Sequence, residues 1–284
     1  MMPGAGPMRR IDGWKLLTIA YFVLVFTVLL APMAVVIVSS FSAPLNNAVV
    51  VSYVPFPPER LTLQWYARIP AAQLHALGVS FALGLAVALA ASIIGVPAAL
   101  GLVRGRFRGK AFISATLRAP LQIPHVVCGI AFLQMFYRFG DLTGVYLQGT
   151  ILGLFIGHLF LAIPFVIGSV AAVLLRFNPR LEEAAHALGA GPWRTLRRVT
   201  LPVIAPGIFT GALYAFIVSF VDVPVAVFLA SSNAMTYPVE LFQAMEQDFD
   251  PSSLASASLA AGFAVILVAV AQRLVGLESL LKSK

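Results

Sequence analysis

The apolar residues of this chain fall in long runs that carry at most one charged side chain each, beginning with Leu16 to Ser40. A run of about 20 such residues crosses a hydrocarbon layer of about 30 Å as a helix. Six runs meet that length, at about residues 16–40, 74–102, 119–139, 150–175, 207–230 and 254–277. Composition agrees: the 284 residues are 60% hydrophobic and 11% charged, against about 25% charged in an ordinary soluble domain. The expected fold class is therefore all-α integral membrane, with six transmembrane helices in one domain over 16–277. Residues 1–15 and 278–284 form short segments outside the membrane.

The chain has 19 Lys and Arg against 11 Asp and Glu, so the placement of the charges decides what they do. Taking alternate loops to opposite sides gathers sixteen basic residues on one side: Arg9, Arg10, Lys15, Arg104, Arg106, Arg108, Lys110, Arg118, Arg176, Arg180, Arg194, Arg197, Arg198, Arg273, Lys282 and Lys284. Only Arg60, Arg68 and Arg138 fall opposite, where Glu59, Asp141, Glu240, Glu246, Asp248 and Asp250 lie. Basic loops stay in the cytoplasm. Both termini are thus expected there, in a bacterial inner membrane. No basic face interleaved with aromatics is present, so the charge reads as membrane orientation and lipid headgroup contact, with no nucleic acid bound. The first run exceeds the 7–15 residue core of a cleaved signal peptide and is read as retained. The single cysteine, Cys128, lies within an apolar run and reads as packing.

Gly153 with Gly157, and Gly207 with Gly211, give small-residue spacings that let helices approach closely in lipid. Pro97 and Pro164 fall inside the second and fourth runs and are expected to kink or unwind them.

Between the fourth and fifth runs the chain reads Asn178-Pro-Arg-Leu-Glu-Glu-Ala-Ala-His-Ala-Leu-Gly-Ala-Gly-Pro-Trp-Arg-Thr-Leu-Arg-Arg-Val-Thr-Leu-Pro202. Asn178 suits an N-cap and Pro179 the first helical position. Glu182 and Glu183 place negative charge where a helix dipole favours it. Gly189 is a left-handed stop, and Pro192 can open a second, short helix. Ala184, Ala185 and Ala187 leave the first helix a low profile that can enter a groove deeply, with Leu188 as anchor. Arg194, Arg197 and Arg198 share a face of the second, suited to headgroups or acidic partners.

Glu183-Ala184-Ala185, three residues, Gly189, nine residues, Val199, one residue, Leu201-Pro202 resembles the EAA loop of binding-protein-dependent ABC importer permeases, with Val199 where isoleucine is common. The resemblance extends over about residues 16–275. It implies that the loop is a cytoplasmic coupling helix between spans four and five, which docks on a separate ATPase and carries its closure to the spans. Glu183 would orient within the docking cleft, Gly189 would make the turn, and Leu201-Pro202 would tie the loop to span five. It also implies two ATP-binding cassette subunits, a second permease, identical or similar, and an external substrate-binding protein. ATP-Mg is used by the partner ATPase, and this chain binds no cofactor.

The sequence itself offers no catalytic apparatus. Gly105-Arg-Phe-Arg-Gly109-Lys110-Ala111 is one residue short of a P-loop and lacks its Ser or Thr. His75, His125, His158 and His186 are scattered too widely to propose a metal site. Asp222 is the acid well inside a span, where a charge costs at least about 2.5–3.5 kcal/mol and should face a cavity, partner or substrate. His158, inside span four, reads as a substrate-path candidate or as a packed, hydrogen-bonded histidine. Ser219-Phe-Val-Asp222-Val-Pro224 and Tyr237-Pro-Val-Glu240-Leu-Phe242 resemble the polyamine-type, PotC-like branch, whose substrates include spermidine and putrescine. That branch often carries two adjacent acids after Ser-Phe; here the first is Val221. The acidic stretch Glu240 to Asp250 suits either solvent or the binding protein. The alternative function, an ion-gradient-driven secondary transporter, calls for inverted repeats and several intramembrane ionisable groups; well inside the spans lie one acid, Asp222, and one histidine, His158, and no convincing repeat is found.

Overall fold

Inside lipid a backbone has no water to bond to, and a chain of apolar runs satisfies its N–H and C=O groups by coiling on itself. The computed structural model describes residues 13–43, 56–247 and 250–281. Among them the chain is helical apart from turns and two isolated β-bridges. The helices are α1 (Gly13–Ser39), α2 (Gln64–Ala67), α3 (Ala71–Arg104), α4 (Lys110–Arg118), α5 (His125–Thr143), α6 (Ile151–Leu174), α7 (Arg180–Ala187), α8 (Pro192–Thr195), α9 (Leu201–Val221), α10 (Ala226–Leu229), α11 (Tyr237–Gln247) and α12 (Pro251–Leu281). Arg9, Arg10, Asp248, Lys282 and Lys284, used in the orientation argument, lie outside the described residues.

Among the described residues five helical stretches are long and apolar enough to span, and six if one bent pair counts as a single span. Two spans differ from the sequence expectation. The third breaks: Lys110–Leu121 and His125–Thr143 meet at 101°, because Ile123 precedes Pro124 and the residue before a proline avoids the helical region. The fifth begins early. α8, a π-turn over Leu196–Thr200 and α9 form one continuous rod over Pro192–Val221, so the second helix opens at Pro192 as expected but runs on into the span. The π-turn lies just before Pro202, whose ring collides with a regular helix four residues back. The rod stops at Val221, short of the expected 230, with Asp222 in extended backbone. Pro97 and Pro164, by contrast, sit inside α3 and α6 without ending them.

The chain divides into two compact units, Met1–Ile69 with Phe249–Leu259, and Pro70–Asp248 with Ala260–Lys284. In the first, the end of α1 is pinned to α2. Trp65 Nε1 donates to the Ser42 carbonyl at 2.7 Å, and Tyr66 Oη lies within 2.7 Å of Ser40 Oγ and 2.8 Å of Ser258 Oγ. The rest of α1 is a lipid-type surface, with 6% of its most apolar stretch buried.

In the second unit, α3, α6 and α9 pack on one another around Val87, Ala91, Leu161, Val166, Val170, Ile204 and Ala215, all fully buried. Glycine sets the spacing. A Cβ at Gly211 would stand 2.8 Å from Val166 Cα, and one at Gly207 3.0 Å from the Ser169 carbonyl. The expected Gly207–Gly211 approach is thus made against α6, where close packing supplies the drive that lipid does not.

Candidate functional site

Two places in the second unit gather the polar side chains singled out by sequence. The first is the segment 178–202. Asn178 Oδ1 accepts from the Arg180 N–H at 3.1 Å and starts α7, one residue later than a Pro179 start. α7 ends as its sequence requires. Gly189 has φ +81°, the Leu188 N–H donates to the Ala184 carbonyl, and the Ala190 N–H reaches back to the Ala185 carbonyl at 2.9 Å. That six-to-one bond is a Schellman closure, and glycine adopts its left-handed step without a Cβ penalty. His186 Nδ1 reinforces the turn by donating to the Ala190 carbonyl at 2.9 Å.

α7 presents Glu183, Ala184 and Ala187 outward, with Ala185 half-buried. Leu188 is 89% exposed and Trp193, at the start of α8, is 72% exposed. Two large apolar side chains thus flank a small-residue surface at one end of the bundle, an arrangement that shielding by another protein would favour. Val199 and Leu201 are half-buried at the foot of the rod and Pro202 is exposed. Trp193 escaped the sequence reading, although an aromatic after a helix-opening proline in a charged loop was a usable signal.

The second place is the stop after Val221. Asp222 is 4% exposed, and its Oδ2 accepts from the Val225 and Ala226 N–H groups at 2.9 and 3.0 Å. It therefore caps the single turn α10. Its Oδ1 lies 3.3 Å from His125 Nδ1, at the first residue of α5. His158, fully buried, has Nδ1 2.9 Å from Ser219 Oγ and Nε2 3.9 Å from Asp222 Oδ2, and Nε2 makes no hydrogen bond. Sequence separation concealed this convergence: the broken third span and the broken fifth bring two scattered histidines onto one carboxylate. Their nitrogens address different oxygens, and among the described residues no group that could hold a metal forms. Gly129 lets α5 approach this turn, since a Cβ there would stand 2.9 Å from the Pro224 carbonyl.

Comparison with known proteins places these features. The profile of the family described as "Binding-protein-dependent transport system inner membrane component" matches residues 91–276, which include both sites. The chain belongs to this family. Among curated relatives, the putrescine transport system permease protein PotI of Escherichia coli K12 is 31% identical over 247 residues, 86% of this chain and 85% of that one. The spermidine/putrescine transport system permease protein PotC of the same strain is 27% identical over 260 residues, 91% and 93% of the two chains. A chain of a bacterial ABC transporter that imports the acidic polysaccharide alginate superposes with a TM-score of 0.69 at 17% identity, covering 96% of this chain and 99% of that one. The MetNI methionine transporter in an inward-facing conformation gives 0.56 at 18%, covering 77% and 99%. Those two likenesses establish the fold. The protein is the permease subunit of an ABC importer, a membrane component of a family that transports rather than catalyses. Such permeases work with ATPase and binding-protein partners.

Proposed function

We propose that the permease takes up the motion of a separate ATPase through the segment 178–202 and passes a small amine-bearing solute of the polyamine class across the bacterial inner membrane. One observation carries the first part: α7 is a low-relief helix bounded by the exposed Leu188 and Trp193. A groove on the ATPase would receive Ala184 and Ala185, Leu188 would be the anchor, and Glu183 would pair or orient within the cleft. Gly189 holds the turn, and Val199, Leu201 and Pro202 join the loop to the span. Two ATPase subunits using ATP-Mg, a second permease and an external binding protein complete the assembly. This chain binds no cofactor and makes or breaks no covalent bond. Residues 16–277 form the spanning domain, and both termini and the segment 178–202 face the cytoplasm.

The amine class rests on the relatives, a putrescine permease and a spermidine/putrescine permease. Asp222 and His158 belong in this proposal to the wall of the path. The Asp222 carboxylate is occupied by two backbone N–H groups and faces His125, so its part is to shape the break rather than to trap an amine. Selection among amines falls to the binding protein.

The test is Glu183→Ala in the reconstituted importer. Membrane insertion should be normal, ATPase co-purification should weaken, and ATP-driven putrescine uptake should fall about fivefold or more, the usual reach of a coupling contact. Undiminished ATP-driven uptake would count against the coupling surface. Uptake that persists without ATP and collapses with an uncoupler would point to an ion-driven carrier.

A further inference from the structure

Two adjacent acids lie in the first turn of α7, and their surroundings differ. Glu183 is exposed, while Glu182 is half-buried and its Oε1 is a meeting point. Arg104 Nη2 donates to it at 2.8 Å, and Thr200 Oγ1 donates to the same oxygen. Arg104 is the last residue of α3, and its guanidinium carbon lies 5.4 Å from the centre of the Phe177 ring, in the connection from α6 to α7. Thr200 is buried and closes the π-turn that leads into α9. One carboxylate therefore joins α7 to the ends of α3 and α9, and through Arg104 over Phe177 it reaches the connection that leaves α6.

The helix dipole explains an acid in this turn but not this arrangement, since either glutamate would satisfy it. An isolated surface pair would hold little. A carboxylate shared between a guanidinium and a buried hydroxyl is charge-assisted, directional and much more confining. α7 has few other holds: none of its residues is fully buried, and it hangs between the connection at 175–179 and the turn at Gly189.

We propose that Glu182 is a positioning residue that fixes α7 to the ends of α3 and α9, so that a push on its outer face moves the bundle instead of flexing the connections. The proposal rests on the reading of α7 as the ATPase-coupling surface, and it divides labour between neighbours. Glu183 faces the motor, and Glu182 faces the load.

In the reconstituted importer with its ATPase and loaded binding protein, Glu182→Ala is expected to co-purify the ATPase in wild-type amount. ATP hydrolysis should stay within about twofold of wild type while putrescine imported per ATP falls about fivefold or more. Reversing both charges, Glu182→Arg with Arg104→Glu, should import more per ATP than either single reversal, which a merely bulky or structural role would not produce. Unchanged import per ATP in Glu182→Ala would overturn the proposal, and so would loss of ATPase co-purification, which would make Glu182 a docking residue. A measurement that leaves Glu182 and Arg104 intact guards against misfolded variants. Spin labels on Arg106→Cys and Arg180→Cys, both exposed and neither assigned to the docking face, should give the same distance distribution with and without trapped ATP. A shift of about one helical turn, ~5 Å, would overturn rigid attachment. If Glu183→Ala left ATPase binding intact while the label distance stayed fixed, the docking surface would be wrong and the strut would stand.

Discussion

Asp222 shows how one residue can be legible in kind and misleading in role. An acid in mid-span must have partners, and so it does, but they are the N–H groups of Val225 and Ala226 and the ring of His125. Its chemistry is that of a cap on a broken helix. Asp222→Asn keeps an acceptor oxygen, and Asp222→Ala removes both. The alanine variant should lose about 1–2 kcal/mol of stability, read as a lower unfolding midpoint in detergent, and the asparagine variant should lose less. Putrescine uptake by Asp222→Asn should stay within about threefold of wild type; a collapse of uptake in a stably folded Asn variant would instead mark the carboxylate as an amine partner. The sequence announced the acid, the Asn178 start and the Gly189 stop because each is a local matter of backbone chemistry. It could not announce that His125 and His158 share that acid, nor that Glu182 rather than Glu183 turns inward, because those depend on where three distant helix ends meet.

Elements separate along the same line. The spans were legible because apolar length is a one-dimensional property, and their breaks were misplaced because proline has two outcomes. Pro97 and Pro164 stay inside α3 and α6, whereas the chain turns at Pro124 and before Pro224, where the preceding residue is forced toward extended backbone and, at the latter, a carboxylate takes over the orphaned N–H groups. Gly207 and Gly211 were read correctly as points where helices approach, whereas Gly153 faces the Leu147 carbonyl just before its own helix, and tight and open glycines can be told apart by measurement. Gly211→Val would press its side chain on the Val166 backbone, since even a Cβ would stand 2.8 Å from that Cα; overpacking of this kind costs about 1–3 kcal/mol. Gly168, on α6, has nothing within 4 Å of a built Cβ, and Gly168→Ala should be neutral or raise stability by up to about 1 kcal/mol through lost backbone freedom in the unfolded chain. Unfolding midpoints of the two variants in the same detergent should therefore move in opposite directions or differ widely. Equal effects would mean that α6 and α9 are not spaced by their small residues.

At the scale of the whole molecule the open physical question is direction, since a lever works only if its handle is on the motor's side. α6 has 24 residues, about 36 Å at ~1.5 Å per residue, enough to separate its two flanking loops by a full hydrocarbon thickness. Leu142, before α6, is 86% exposed, and Leu188, after it, is 89% exposed, so each can report its own side. The chain's one cysteine, Cys128, is buried, and Cys128→Ala should give a cysteine-free background at modest cost, to which Leu142→Cys or Leu188→Cys adds a single thiol. An impermeant maleimide applied to spheroplasts should label Leu142→Cys and spare Leu188→Cys, and inside-out vesicles should reverse the pattern. Adding the ATPase subunits to those vesicles should then protect Leu188→Cys and leave other inward-facing thiols reactive, because Leu188 would be covered by the groove that receives α7. Labelling of both positions from one side would break the alternation of spans on which sixteen of nineteen basic residues were assigned to the cytoplasm. Reversed labelling would put the segment 178–202 where no ATP-hydrolysing partner could reach it, and the charge bias would then have to be overridden by a second permease holding this chain against its own basic loops.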